Sequence, residues 1–408
     1  MLSDEVIEKV TERLVNRIEQ GNTYVLEQIG KSIGKIGTLS PSKAQELGQI
    51  IRYGGDYDKI VKKLTEITNL NVRDIKKIFE EVAKSDYQFA KQFYDYRGKK
   101  FIPYEKNIAL KRQVNILTKT MTDTYISKTK AIGFSLRDSK GNVIFRTLEQ
   151  TYQDIIDKAI LNIAQGKTTF NQEMHQTIKE IAGSGIKTID YESGKTMRFD
   201  SYFRMLTKDS LRQLHNEEQK IFGEEFASDG VEISAHLNPA PDHEMVQGRQ
   251  FSKEEFDNFQ NDKDAVSYDG IVFPAEFEGH DRRSISEYNC YHYVFAIILG
   301  VSNPEYSNKQ LQQIIDNNEK GFELDGKHYT NYEGTQLQRK LETEIRKQKD
   351  IQIMAKASDN NELVQEAQER ISQLTQKYKE LSDISGLPTK MERMRVPGYK
   401  RVAKSKLK

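Results

Sequence analysis

Apolar residues recurring every three or four positions dominate this chain, and that period commits most of it to amphipathic helix. The pattern is plainest between Thr335 and Leu381, where neither Gly nor Pro occurs and Leu363, Ala367, Ile371, Leu374, Tyr378 and Leu381 form a single stripe. Ser358-Asp-Asn-Asn-Glu362 interrupts that run with residues that cap helices, so two antiparallel helices are expected instead of one rod. Such a pair buries little on its own and needs the rest of the chain, or a neighbour, to pack against. The same period runs from Ser3 to about Thr124, for instance through Leu110, Val114, Leu117, Met121 and Tyr125. Breaks at Gly21-Asn22, around Pro41, at Gly54-Gly55 and from Gly98 to Pro103 divide this stretch into roughly five or six helices.

Where the period lapses, turn chemistry takes over. Ala131–Arg137 and Val143–Thr147 flank Asp138-Ser-Lys-Gly-Asn142, and Ile186–Tyr191 and Lys195–Phe199 flank Glu192-Ser-Gly194. Both read as β-hairpins. Helices are expected near 150–164 and 169–182, and a longer one runs from a cap at Asp200 or Ser201 to Phe226, ended by Gly230. Val231–His236 alternates like a strand. Beyond it, Pro239, Pro241, Pro274 and Pro304 mark a compact, loop-rich stretch.

The expected fold class is therefore α+β, mostly helical. Its parts are a helical N-terminal region (1–130), hairpins and long helices (131–230), a small loop-rich α+β module (231–307), a helical hairpin arm (308–385) and a basic flexible tail (386–408). At 408 residues the chain can bury a substantial core. Its 36% hydrophobic content and mean hydropathy of −0.73 suit extended helical parts with much solvent- or partner-facing surface. A single cysteine excludes an intramolecular disulfide and fits synthesis in a reducing cytoplasm. The acidic first turn reads as the start of a mature chain, and no apolar run approaches the roughly 20 residues that span a bilayer. With 62 basic and 61 acidic residues, no global field draws the protein to nucleic acid.

Scarce chemistry is concentrated in one place. The only cysteine and four of the 7 histidines lie between His236 and His292. Imidazoles of His236, His243, His280 and His292 with the Cys290 thiolate suit zinc by type, but no second close ligand pair completes a familiar zinc spacing, so no metal is expected. Cys290 with His243 or His292 as base and Asp242 as orienting group can be written as a nucleophilic set. The apolar segment after Cys290 argues instead for a thiol whose pKa burial raises, and no catalytic residue is assigned. Pro239-Ala-Pro241-Asp-His243 is a rigid loop, and Gln247-Gly248 sets an amide beside a residue that lets another backbone approach closely. Walker, serine-elbow, HExxH and dinucleotide motifs are missing from any fitting context, so no cofactor is expected.

The C-terminal residues Arg393, Arg395, Lys400, Arg401, Lys404, Lys406 and Lys408 form a cationic tail that can hold phosphate backbone without reading sequence, dock an acidic protein surface, or stay solvated and touch nothing.

His236, Pro241-Asp-His243, Gln247-Gly248, Phe251-Ser252, Asn289-Cys290 and His292, in this order and spacing, resemble the phage minor capsid protein 2 family. Asp190-Tyr-Glu-Ser-Gly194 running into Arg198-Phe-Asp-Ser-Tyr-Phe-Arg-Met205 resembles the segment preceding that module. The likeness covers about the first 310 residues and is strongest from Gly183 to Ser302. It departs at Tyr291, where a basic residue is expected, and at Ala296 and Leu299, where prolines are expected. The resemblance implies a non-enzymatic minor structural protein of a tailed-phage head, made in the host cytoplasm and carried in the virion. It is related in role to the Mu-type head morphogenesis proteins. Expected partners are the portal protein or the major capsid protein, with packaged DNA within reach of the tail. It assigns His236, Pro241, His243, Gln247, Gly248, Asn289, Cys290 and His292 to a structural motif. The rival reading is a small hydrolase or toxin-like effector that uses the His236–His292 module.

Overall fold

In the computed structural model of the protein, residues 4–37, 56–138, 140–164, 170–189, 193–261 and 290–402 are described, with short runs at 266–268, 271–273, 275–277 and 280–287. Helix α1 (Asp4–Gly37) is the spine. It packs against α2 (Asp56–Tyr96), α4 (Leu148–Ala164), α5 (Phe170–Ser184), α6 (Phe199–Glu225) and α9 (Asn331–Ala357). Between α2 and α4 lie α3 (Ile108–Lys130) and the first hairpin.

The expected break at Gly21-Asn22 is absent, because α1 runs straight through it. Gly21 is there for packing: a Cβ at this position would lie 3.1 Å from Ile67 and 3.2 Å from Leu64 of α2. Gly30 does the same against α9, where a Cβ would sit 2.6 Å from the Met354 carbonyl oxygen. Both are close-approach glycines on a helix buried on several sides, which a local reading takes for punctuation. The break around Pro41 and Gly54 falls outside the described residues.

Both hairpins form. Strands β1 (Ile132–Arg137) and β2 (Val143–Thr147) pair antiparallel, as do β3 (Lys187–Ile189) and β4 (Thr196–Arg198). Pairing of β1 with β3 fuses them into one sheet in the order β2-β1-β3-β4. The cap expected at Asp200 or Ser201 is not made, since α6 already begins at Phe199. Asp200 is buried in its first turn, 3.1 Å from Arg198 and 3.2 Å from Arg346 of α9. Arg198 also reaches Asp350 at 2.9 Å, so two guanidiniums and two carboxylates neutralise one another out of water. Nor does Gly230 stop α6. The helix ends at Glu225, Ala227 takes φ +58, and Gly230 opens the next strand.

That strand, β5 (Gly230–Ile233), lies between β6 (Gln250–Ser252) and β11 (Val294–Ile297). Between β6 and β11 come α7 (Lys253–Asn261) and the short strands β7 (Val266–Tyr268), β8 (Ile271–Phe273), β9 (Glu276–Phe277) and β10 (His280–Asp281). Val231, Ile233, Val246, Phe251, Phe259, Phe273 and Ile285 give this region its own small core. Buried Arg282 seals it by donating to the Phe273 carbonyl at 3.0 Å and lying 4.5 Å above the Phe259 ring. The outer edge of β11 faces α6, where Asn216 and Gln219 side chains accept its backbone N–H groups at 3.0 and 2.9 Å. Helix amides thereby satisfy an edge that would otherwise stay open.

After α8 (Asn308–Lys320) and the hairpin β12 (Phe322–Leu324) and β13 (Lys327–Tyr329), the expected pair of antiparallel helices appears as α9 and α10 (Asn361–Ser385). Asp359 adopts φ +57, and Asn360 caps α10 by accepting from the Leu363 amide at 3.1 Å. The pair packs on the rest of the chain. Ile351, Met354, Leu363 and Val364 belong to the same apolar core as Leu14 and Leu26 of α1.

The tail was expected to be flexible, yet through Val402 it is docked. Met394 is buried against Ile345, Leu374 and Tyr378 of the helical pair. Thr23 of α1 donates to the Pro397 carbonyl at 2.7 Å, and Arg346 donates to the Arg393 carbonyl at 2.6 Å. The apolar Met394 and Val396, set among the bases, supply burial that a count of charges overlooks. Among the described residues, no helix is long and apolar enough to cross a membrane.

Candidate functional site

Cys290 Sγ lies 3.6 Å from His243 Nδ1 and 3.5 Å from His292 Nδ1, and all three side chains are buried. Cys290 and His292 precede β11, whereas His243 comes from the turn at residues 241–248. Pro241 opens that turn with its fixed φ. The His243 amide then donates to the Ala240 carbonyl, and the Val246 and Gln247 amides return to the His243 carbonyl. Gly248 closes it at φ +69 and donates to the Ile233 carbonyl, where a Cβ would sit 2.4 Å from Leu311. The close approach expected at Gly248 was that of another backbone; the atoms that crowd it are side-chain atoms of Leu311 in α8 and of Ala235.

Each imidazole is oriented by its far nitrogen. His243 Nε2 faces the Arg283 carbonyl at 2.9 Å, and His292 Nε2 faces Gln247 Oε1 at 3.3 Å. Gln247 Oε1 also accepts from the His236 amide at 2.8 Å, which fixes the orientation of the Gln247 side-chain amide. Facing oxygen acceptors, the neutral rings carry their protons on Nε2 and turn Nδ1 lone pairs toward the thiol. His236 stacks beside His292 with ring centroids 4.7 Å apart, and its Nε2 faces the Tyr291 carbonyl at 2.9 Å.

Electrostatics correct one expectation. Burial does raise the Cys290 pKa, but the hydrogen bond and charge of His243 more than offset it and leave the thiol below its ordinary value. Burial works against the charge on His243 too, yet Cys290 and then Asp242 hold its pKa above the usual imidazole value. His292 stays neutral, because burial first and neighbouring His236 and His243 next push its pKa well below normal. The Cys–His–Asp set writable from the sequence is only partly assembled. Asp242 is clasped by Arg283 through bonds of 2.6 and 2.7 Å, and the group His243 Nε2 meets closely is a backbone carbonyl.

The cluster borders a cavity of about 770 Å³, whose lining also includes Glu8, Lys208 and Arg393. Asn289 lies outside the described residues, as does the side chain of His280. Of the tail cations, Arg393 is engaged with Glu8, while Arg395, Lys400 and Arg401 are exposed. Lys404, Lys406 and Lys408 fall outside the described residues. Sequence reading missed the buried pair His215–Asp86, 2.7 Å apart, and the amides Asn216 and Gln219 that hold β11. Polar residues on an otherwise apolar helix face were the available signal.

A family model for phage minor capsid protein 2 matches residues 2–383. The chain belongs to the phage minor capsid protein 2 family. The match reaches well past the first 310 residues that carry the visible likeness and takes in the α9–α10 pair. Membership gives the protein a structural role in the capsid and a place in the virion. No match was found among curated proteins or solved structures.

Proposed function

We propose that this minor capsid protein is a non-enzymatic component at the portal or inner head surface that acts in head assembly or in genome packaging and ejection. It is made in the host cytoplasm before incorporation. The observation that carries this reading is the family match over residues 2–383. The interlocked fold supports it: α1, α6, α9 and the C-terminal segment brace one another, as suits a part built into an assembly. Exposed Arg395, Lys400 and Arg401 would hold packaged DNA by charge alone.

The test is to purify mature particles, quantify the chain by mass spectrometry and crosslink it to its neighbours. Crosslinks to the portal or the inner face of the major capsid protein are the expected result. Absence from mature heads, or crosslinks confined to the outer surface or tail, would overturn it. The rival hydrolase or effector reading draws on the Cys290–His243 contact beside the cavity. Alanine at His243 and Cys290 separates the two: lost turnover in folded protein supports chemistry, whereas lost solubility alone supports structure.

A further inference from the structure

We propose that Cys290, His243 and His292 bind one zinc ion, with a cavity water as the fourth ligand. This goes beyond the capsid reading and does not depend on it. Three independent features of the cluster point the same way.

The first is spacing. Zinc–sulfur bonds of about 2.3 Å and zinc–nitrogen bonds of about 2.0–2.1 Å at a tetrahedral angle place sulfur and nitrogen about 3.5 Å apart. Cys290 Sγ lies 3.5 and 3.6 Å from the two Nδ1 atoms, and all three ligand atoms fall within 4.8 Å of one another.

The second feature is the outer set of partners. Metal-bound imidazoles characteristically donate their remaining N–H to a carbonyl or carboxylate, which fixes the tautomer. Arg283 O does this for His243 and Gln247 Oε1 for His292. Cys290 must bind as thiolate, so uptake of the ion releases the thiol proton.

The third feature is access. The site lies on the wall of the cavity, so water has both a path to the ion and room at the fourth position. The bond set ties the turn at 241–248 to the segment entering β11, and among the described residues no strand pairing joins these two directly. The expected consequence is a brace between two loops of the module. Spacing along the chain hid the site because the third ligand comes from 47 residues before Cys290.

The test uses the full chain, stripped with chelator and then titrated with Co²⁺ or Zn²⁺. Expected are one ion per chain, a thiolate-to-cobalt charge-transfer band with tetrahedral ligand-field bands, and a rise in melting temperature with Zn²⁺. Cys290→Ser should remove the charge-transfer band, and His292→Gln should weaken binding. If those variants do not fold, the wild type still decides, since Zn²⁺ should slow alkylation of Cys290 by about tenfold or more. A folded wild-type protein that retains no ion and gives no cobalt–thiolate band would overturn the proposal. So would a band that survives Cys290→Ser.

Discussion

Arg393, near the end of the chain, reaches Glu8 of α1 at 3.1 Å, and Lys208 of α6 pairs with the same carboxylate. Three distant segments thus converge on one acid beside the cavity.

Glu8 gives this convergence a pH signature. Burial raises its pKa, but Lys208 and then Arg393 bring it down to about 2, below the unfolded value of 4.5. A carboxyl depressed on folding contributes stability that is complete above about 4.5 and lost as pH falls toward about 2. Glu8→Gln should cost about 1–2 kcal/mol at pH 7 and little at pH 2.5, measured by urea denaturation across that range. An equal cost at both values would show that the charge is not what matters.

Glu19 behaves in the opposite sense. Burial, reinforced by nearby Asp200 and only partly opposed by Arg346, pushes its pKa up to about 8. The folded state then keeps a proton that the unfolded chain releases above about 4.5, so stability declines as pH rises from about 4.5 to 8 and levels beyond, by up to about 1.4 kcal/mol per unit. Glu19→Gln should remove much of that decline and melt higher than wild type at pH 9. A variant no more stable than wild type at pH 9 would refute the assignment.

The contact of α1 with α9 leaves no room at Gly30. Gly30→Ala would place a methyl 2.6 Å from the Met354 carbonyl oxygen and should destabilise by about 1–3 kcal/mol, although alanine is the better helix former. A rise in melting temperature would mean the two helices do not pack this closely.

Gly248 faces two obstacles, φ +69 and Leu311. Gly248→Ala should cost about 1–3 kcal/mol, and trimming Leu311 to Ala in the same chain should recover the packing part but not the backbone part. Full recovery in the double variant would show that the positive φ carries no strain.

Two truncations separate the roles of the tail. Removing residues 403–408 should lower DNA affinity, with the salt slope falling by about 0.9 for each phosphate no longer neutralised. Removing residues 388–408 should also destabilise the fold, because it takes away buried Met394. If the shorter truncation leaves DNA affinity and its salt slope unchanged, these lysines do not hold DNA.

Local chemistry was readable wherever it acts alone. The 3.6-residue period set the helices, Asn360 set the break between α9 and α10, and turn residues set both hairpins, because these forces operate within a few positions of the chain. Family likeness was legible too, in the order of His236, His243, Gln247, Cys290 and His292. Tertiary contact decided the rest. Gly21 and Gly30 look like breaks until a neighbouring helix is seen to need their space. Asp200 looks like a cap until Arg198 and Arg346 claim it. Met394 gives a basic tail a place to dock, and the Cys290 thiol falls below its ordinary pKa only because a turn far back in the chain sets His243 against it. Burial and charge interactions depend on distance in space, and spacing along the chain does not report that distance.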